Sequence, residues 1–207
     1  MDPAAQLYLH AVRAALAFDP ALAERVAAEA EDHLAEAEEA RGGAVDPHLC
    51  LGPPDAFAHG IAAAHGPPRL AGFLKLLLTA LLLVTLTMRL RLAFLPPLEA
   101  EAWLWPARLA DRWGLIAATL AAALAGVGLW RQRRGKDWHL SPRRLAWVGG
   151  AALLLSSLGG GVLTALGIAA QPTWGAVAPL ATTAAEVVAL LFLAGEYRRV
   201  RRYPGLV

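Results

Sequence analysis

The chain has 207 residues, of which 57% are hydrophobic, with a formal net charge of +2 and a single cysteine. That composition is too apolar for an ordinary water-soluble domain, and one cysteine excludes an internal disulfide. The net charge hides a break at Arg69: residues 1–69 hold eleven acidic and four basic side chains, residues 70–207 six acidic and fifteen basic. Long apolar runs occur only after that break, at about 70–88, 113–130, 145–170 and 174–195. Each is long enough, at about 1.5 Å per helical residue, to cross a hydrocarbon core about 30 Å thick. The expected fold is all-α: a small acidic bundle of three or four helices in 1–69, then a four-helix transmembrane bundle in 70–207. The N-terminus lacks the basic-then-apolar pattern of a secretory signal, so the acidic domain is expected on the cytoplasmic side.

Three Asp-Pro steps punctuate the acidic half. Asp2-Pro3, Asp19-Pro20 and Asp46-Pro47 each offer a side-chain acceptor at the N-cap and a proline at the first helical position, where its missing N–H is not needed. The first helix, about 3–18, aligns Leu9, Val12 and Leu16. The second, about 20–40, aligns Leu22, Val26, Ala30, Leu34 and Ala37, and Gly42-Gly43 end it. A short third helix at 47–51 is cut by Gly52-Pro53-Pro54. A fourth, about 54–65, offers Phe57, Ile61 and Ala64 to the core and is expected to stop at Gly66-Pro67-Pro68. So small a bundle is marginal alone.

Several of these residues carry a resemblance. The string Glu29-Ala30-Glu31-Asp32-His33-Leu34, the pair Gly42-Gly43, and Leu51-Gly52-Pro53-Pro54-Asp55 with Phe57-Ala58 and Ile61 resemble the HAAS-type signalling domain, also met as a permease prefix domain. The resemblance covers about residues 5–66. It departs from the family at Pro53, where a capping residue such as Asp is common, and Asp55 in the first turn is the substitute. What it implies is a soluble regulatory or interaction module ahead of transmembrane helices, with a partner such as a PadR-like transcription regulator, and no chemistry.

The outer face of the second helix gathers Glu29, Glu31, Asp32 and Glu36, with His33 among them, and carries few basic side chains. Two readings stand: a solvated helix face, or a docking surface for a basic cytosolic protein. Like charges three and four residues apart weaken the helix that bears them, which leans toward docking. Phosphates would be repelled, so direct nucleic-acid binding is not expected. His33 is expected at the core edge.

In the apolar half, Lys/Arg placement sets orientation. The loop 131–144 carries Arg131, Arg133, Arg134, Lys136, Arg143 and Arg144. The tail 198–202 carries Arg198, Arg199, Arg201 and Arg202, and the loop 171–173 is uncharged. Four spans of an inner membrane with both termini cytoplasmic fit these facts, while Arg89, Arg91, Arg108 and Arg112 fall on the wrong side. Arg131, Arg133, Arg134, Lys136, Arg198 and Arg199 are expected to contact anionic lipid or the acidic domain. The segment 92–112 reads as an interfacial helix with Leu98, Ala102, Trp105, Leu109 and Trp113 on its apolar arc, and Glu99, Glu101, Arg108 and Asp111 outside it. Small-residue stripes at Ala118, Ala122 and Gly126, and at Ser157, Gly161 and Ala165, suit close helix packing, within the chain or in a homodimer or larger membrane complex. The run Gly159-Gly160-Gly161 invites a hinge.

Two charges fall inside spans. Lys75 is expected to snorkel. Glu186 is a functional candidate by default, with Lys75, Thr79, Thr85, Thr182 or Thr183 as its expected partners. No His/Cys cluster, serine elbow or phosphate-cradling loop is present in the pattern, so no metal, cofactor or catalytic residue is expected. Two functional classes remain: a membrane regulatory protein that binds a soluble partner, and an accessory or permease-like subunit of a transport complex. A third possibility needs no partner: the acidic domain docks on its own basic loop and tail.

Overall fold

The computed structural model describes residues 2–98, 102–170 and 174–204, and no strand occurs among the described residues. The chain divides into two compact units, one running to Pro67 and taking in the tail from Arg201, the other running from Pro68 to Val200. In the first unit lie α1 (Pro3–Ala15), α2 (Pro20–Arg41), α3 (Pro47–Leu51) and the opening of α4 (Pro54–Phe94). All three Asp-Pro steps act as helix starts. Asp2, Asp19 and Asp46 accept from the amides of Ala4, Leu22 and His48 at 3.3, 3.2 and 2.9 Å. Gly42 ends α2 in the left-handed region, at φ 69°, where a side chain would be strained.

Tyr8, Leu9, Val12 and Leu16 pack against Leu22, Val26, Ala27, Ala30 and Leu34, and Ala58 and Ala62 close the core. Phe57 and Ile61 are half-buried and Ala64 is exposed, so the buried stripe of α4 sits one residue along from the expected one. The reason is that α4 does not stop at Gly66-Pro67-Pro68. It runs unbroken for 41 residues, and one stripe (Ala58, Ala62, Gly66, Leu70, Phe73, Leu77, Val84, Arg91) serves its whole length. Proline's fixed φ of about −65° is itself helical, so the two prolines cost hydrogen bonds at the preceding turn but do not force the chain out of the helix. The apolar run that follows cannot leave its backbone groups unpaired in lipid, which favours continuing the ladder.

The tail supplies a contact that sequence periodicity does not reach. Tyr203 is fully buried in the first unit, donates its hydroxyl to Oδ2 of Asp19, and meets Phe18 edge-on with ring centroids 5.0 Å apart. Asp19 thus caps α2 with one oxygen and holds the tail with the other.

The second unit holds the remainder of α4, then α5 (Trp105–Arg133), α6 (Pro142–Ala170) and α7 (Val177–Val200), with single 3-10 turns at Ala102–Leu104 and Trp174–Ala176. Among the described residues, four helical segments are long and apolar enough to cross a membrane. The segment 92–112, expected to lie at the interface, is divided between helices among its described residues. Its first residues finish α4, and from Trp105 onward it belongs to α5, with Pro106 in the first turn, where proline is tolerated. Glu99, Glu101 and the loop 171–173 lie outside the described residues. Trp103, Trp105, Trp113, Trp130, Trp147 and Trp174 are all exposed, close to the ends of the long helices.

The closest packing is between α5 and α6. A Cβ on Gly114 would lie 2.7 Å from the Ala152 carbonyl, and one on Gly159 would lie 2.5 Å from the Ala107 carbonyl. The contact face therefore runs through Gly114, Ala118, Ala122 and Ala125 on one helix and Gly149, Ser156, Gly159 and Gly160 on the other. Gly126 and Gly161 from the expected stripes face open space, and Ala165 is exposed. α6 is continuous through the Gly159–Gly161 run, and a Cβ on Gly159 or Gly160 would meet atoms of α5.

Candidate functional site

The first candidate surface lies on α2. Glu29, Glu31, Asp32, His33 and Glu36 are all exposed, and no ion pair among the described residues engages the four acids. His33 stands in solvent instead of at the core edge. α2 has 22 residues against 13 in α1, and nothing past Leu34 is buried, so its last turns outrun the helices that would cover them.

The second candidate lies inside the second unit, where six charged or polar side chains among the described residues (Thr87, Arg91, Asp111, Ser156, Thr164 and Glu186) are drawn into an otherwise apolar bundle. Arg91 near the end of α4 is 8% exposed, and Asp111 in the second turn of α5 is 5% exposed. Arg91 donates from Nη2 to Oδ2 of Asp111 and from Nη1 to the Gly160 carbonyl at 2.9 Å. That carbonyl also accepts from Thr164 at 2.8 Å, and the Asp111 carbonyl accepts from Ser156 at 2.7 Å. Three helices are thereby tied through one ion pair. The pair fits because Gly160 has no side chain: a Cβ there would lie 2.8 Å from Asp111 Oδ1 and 3.0 Å from Arg91 Nη1. A buried pair is tolerated only when its remaining polar atoms find partners, and here the Gly160 carbonyl takes the second guanidinium nitrogen of Arg91.

Glu186 is 4% exposed on α7, in a seam of Pro179, Glu186, Leu193 and Val200 spaced seven residues apart. Ser157 donates to its Oε2 at 3.0 Å, while Oε1 is buried and accepts no hydrogen bond. The Thr87 hydroxyl lies beside the carboxylate, and Arg91 and Asp111 are close enough to act on it electrostatically. The expected partners of Glu186 are otherwise engaged. Thr79, Thr85, Thr182 and Thr183 each donate to a carbonyl of their own helix. Lys75 is exposed, since it sits at 200° from the buried Phe73 around α4 and about 18 Å along the axis from Thr87.

Arg91 and Asp111 are the buried site residues that the sequence reading did not bring together. Trp105 and Trp113, read as the apolar arc of an interfacial segment, are exposed, and Asp111, placed outside that arc, is inside the bundle. A usable signal was present in Arg91 itself: an arginine on the wrong side by the charge rule, ending an apolar run and twenty residues before a lone aspartate.

The basic residues are dispersed. Arg131 lies over the Trp138 ring at 5.7 Å and Arg134 over Trp130 at 4.1 Å, so these two bind aromatic faces of their own chain. Arg133, Lys136 and Arg198 are exposed, and Arg199 pairs with Glu196 at 2.8 Å. Among the described residues no group of three or more His, Cys, Asp or Glu could hold a metal ion. Compared with protein-family models, curated proteins and solved structures, the chain matches none.

Proposed function

We propose that the chain is a regulatory protein of the inner membrane whose acidic helical domain binds a basic cytosolic partner, such as a PadR-like transcription regulator. The observation that carries the reading is the uncompensated acidic face of α2, where Glu29, Glu31, Asp32 and Glu36 are exposed and take no basic partner among the described residues. A helix that keeps like charges at i,i+3 and i,i+4 gives up a few tenths of a kcal/mol per pair, which a partner of opposite charge would recover. The resemblance of residues 5–66 to HAAS-type domains points the same way. On this reading both termini are cytoplasmic, since the basic loop 131–144 and tail 198–202 favour that side. The test uses the full chain in nanodiscs to capture proteins from the cytosolic fraction. Reversing Glu29, Glu31, Asp32 and Glu36 to Lys is expected to abolish capture of one protein, and capture unchanged by the reversal sinks the reading.

A second reading, an accessory or permease-like subunit of a transport complex, is favoured by Glu186, whose Oε1 is buried without a hydrogen bond. It predicts co-purification with other membrane subunits in mild detergent, and a complex that survives the α2 charge reversal.

A further inference from the structure

An open cavity of about 530 Å³ lies beside the buried ion pair. Met88, Arg91, Leu92 and Leu95 of α4, the turn Pro96–Leu98, Arg108, Asp111 and Arg112 of α5, and Leu163 of α6 line it. Three guanidinium groups and one carboxylate therefore face the same space. Arg91 and Asp111 satisfy each other at its floor, and Arg108 donates to the Leu98 carbonyl at 3.0 Å. Arg112 is exposed, and no ion pair among the described residues engages it. The rest of the lining is aliphatic, so the cavity offers a cationic rim above an apolar wall.

We infer that this cavity is a binding site for a phosphate-bearing amphiphile, with an anionic phospholipid as its occupant. Three features converge on that chemistry. Arginine is the side chain suited to phosphate, because its planar fork donates two parallel hydrogen bonds to two oxygens. The aliphatic wall of Met88, Leu92, Leu95 and Leu163 suits an acyl chain, which a soluble phosphate does not have. The arginines also sit where the orientation rule disfavours them, at the helix ends opposite the basic loop 131–144. Arg91 is accounted for by Asp111. Arg108 is engaged by the Leu98 carbonyl, so Arg112 is the arginine at that end placed to meet an anion, closing on the headgroup with Arg108 flanking it.

The test is native mass spectrometry and thermal unfolding of the full chain in detergent, titrated separately with phosphatidylglycerol, phosphatidylcholine and glycerol 3-phosphate. Phosphatidylglycerol is expected to be retained and to raise the unfolding midpoint, with roughly tenfold weaker binding in Arg112→Gln and a further loss when Arg108→Gln is added. Arg41→Gln, exposed at the end of α2, is the control and is expected to leave retention unchanged, while Arg133→Gln with Lys136→Gln reports any retention at the opposite basic loop. Equal retention of phosphatidylcholine overturns the charge argument. Stabilisation by glycerol 3-phosphate at the same concentrations overturns the lipid assignment. Retention that falls with the loop variants and not with Arg112→Gln overturns the site.

Discussion

The two units treat carboxylates in opposite ways. In the first, Asp2, Asp19 and Asp46 are fixed at helix starts, and the acids of α2 stand in water with nothing required of them. In the second, Asp111 and Glu186 are inside the bundle, and each needs donors from another helix. Water makes an outward charge nearly free, so the acids of α2 carry little information about which helices are neighbours. An inward charge among apolar spans is costly unless paired, so Asp111 dictates that α4, α5 and α6 meet at one point. The same residue type is a surface label in one unit and a structural constraint in the other.

The largest expected effect breaks that constraint. Arg91→Ala or Asp111→Ala alone leaves a buried charge without its counter-ion and is expected to cost about 3–5 kcal/mol, read as loss of folded protein in detergent. Arg91→Met combined with Asp111→Leu is expected to recover most of it. Equal instability of single and double variants would mean that the pair does not hold the helices together. A smaller effect follows from the glycines. Gly159→Ala drives a methyl group to 2.5 Å from the Ala107 carbonyl and is expected to cost about 1–3 kcal/mol, whereas Gly161→Ala faces open space and is expected to be neutral or slightly stabilising. A cost at Gly161 comparable to that at Gly159 would restore the face that the four-residue periodicity suggests.

These contrasts also mark how far the sequence could be read. The all-α fold, the four long apolar helices and the three capped starts were legible because each depends on local chemistry: an Asp-Pro step, a glycine stop, or a run length. The continuous α4 was not, since two prolines and a glycine argue locally for a break and only the long stripe from Ala58 to Arg91 argues against it. Asp111 was hidden for a related reason. Periodicity over 92–112 finds the apolar face, but in a lipid-facing helix that face is the outer one, so the arc of Trp105 and Trp113 did not show that Asp111, outside it, turns inward. The exposure of the acids on α2 was legible, but nothing local said that His33, next to the buried Leu34, would face outward with them. Tyr203 was out of reach altogether, since its partner Asp19 is 184 residues away.

Glu186 sharpens the comparison within the second unit. Asp111 has its donors, whereas Glu186 has one oxygen satisfied and one not. An unsatisfied buried acceptor costs about 1–3 kcal/mol, so Glu186→Met is expected to stabilise the folded chain by about 1–2 kcal/mol, with Ser157 turning to a carbonyl of its own helix. Stabilisation together with loss of biological activity would mark Glu186 as a residue kept for function at the expense of stability. Destabilisation would mean that the carboxylate is held by more than Ser157.

The smallest expected effect contrasts two buried tyrosines of the first unit. Tyr203 donates to Asp19, while the Tyr8 hydroxyl is buried with no partner, packed edge-on to His48 at 5.4 Å. Tyr203→Phe is expected to destabilise the unit by about 1 kcal/mol, because it strips a donor from a buried carboxylate, and Tyr8→Phe is expected to be neutral or stabilising by a similar amount. Burial raises the pKa of Tyr8 above its ordinary value of 10.0, so folding favours the neutral phenol. That contribution is present in full below pH 10 and is lost as pH rises through the higher folded-state value. The unfolding midpoint of the unmodified chain is therefore expected to fall more steeply above pH 10 than that of Tyr8→Phe, measured by hydrogen exchange at α1 and α2 of the full chain. Parallel curves would mean that the Tyr8 hydroxyl reaches water when the unit is folded.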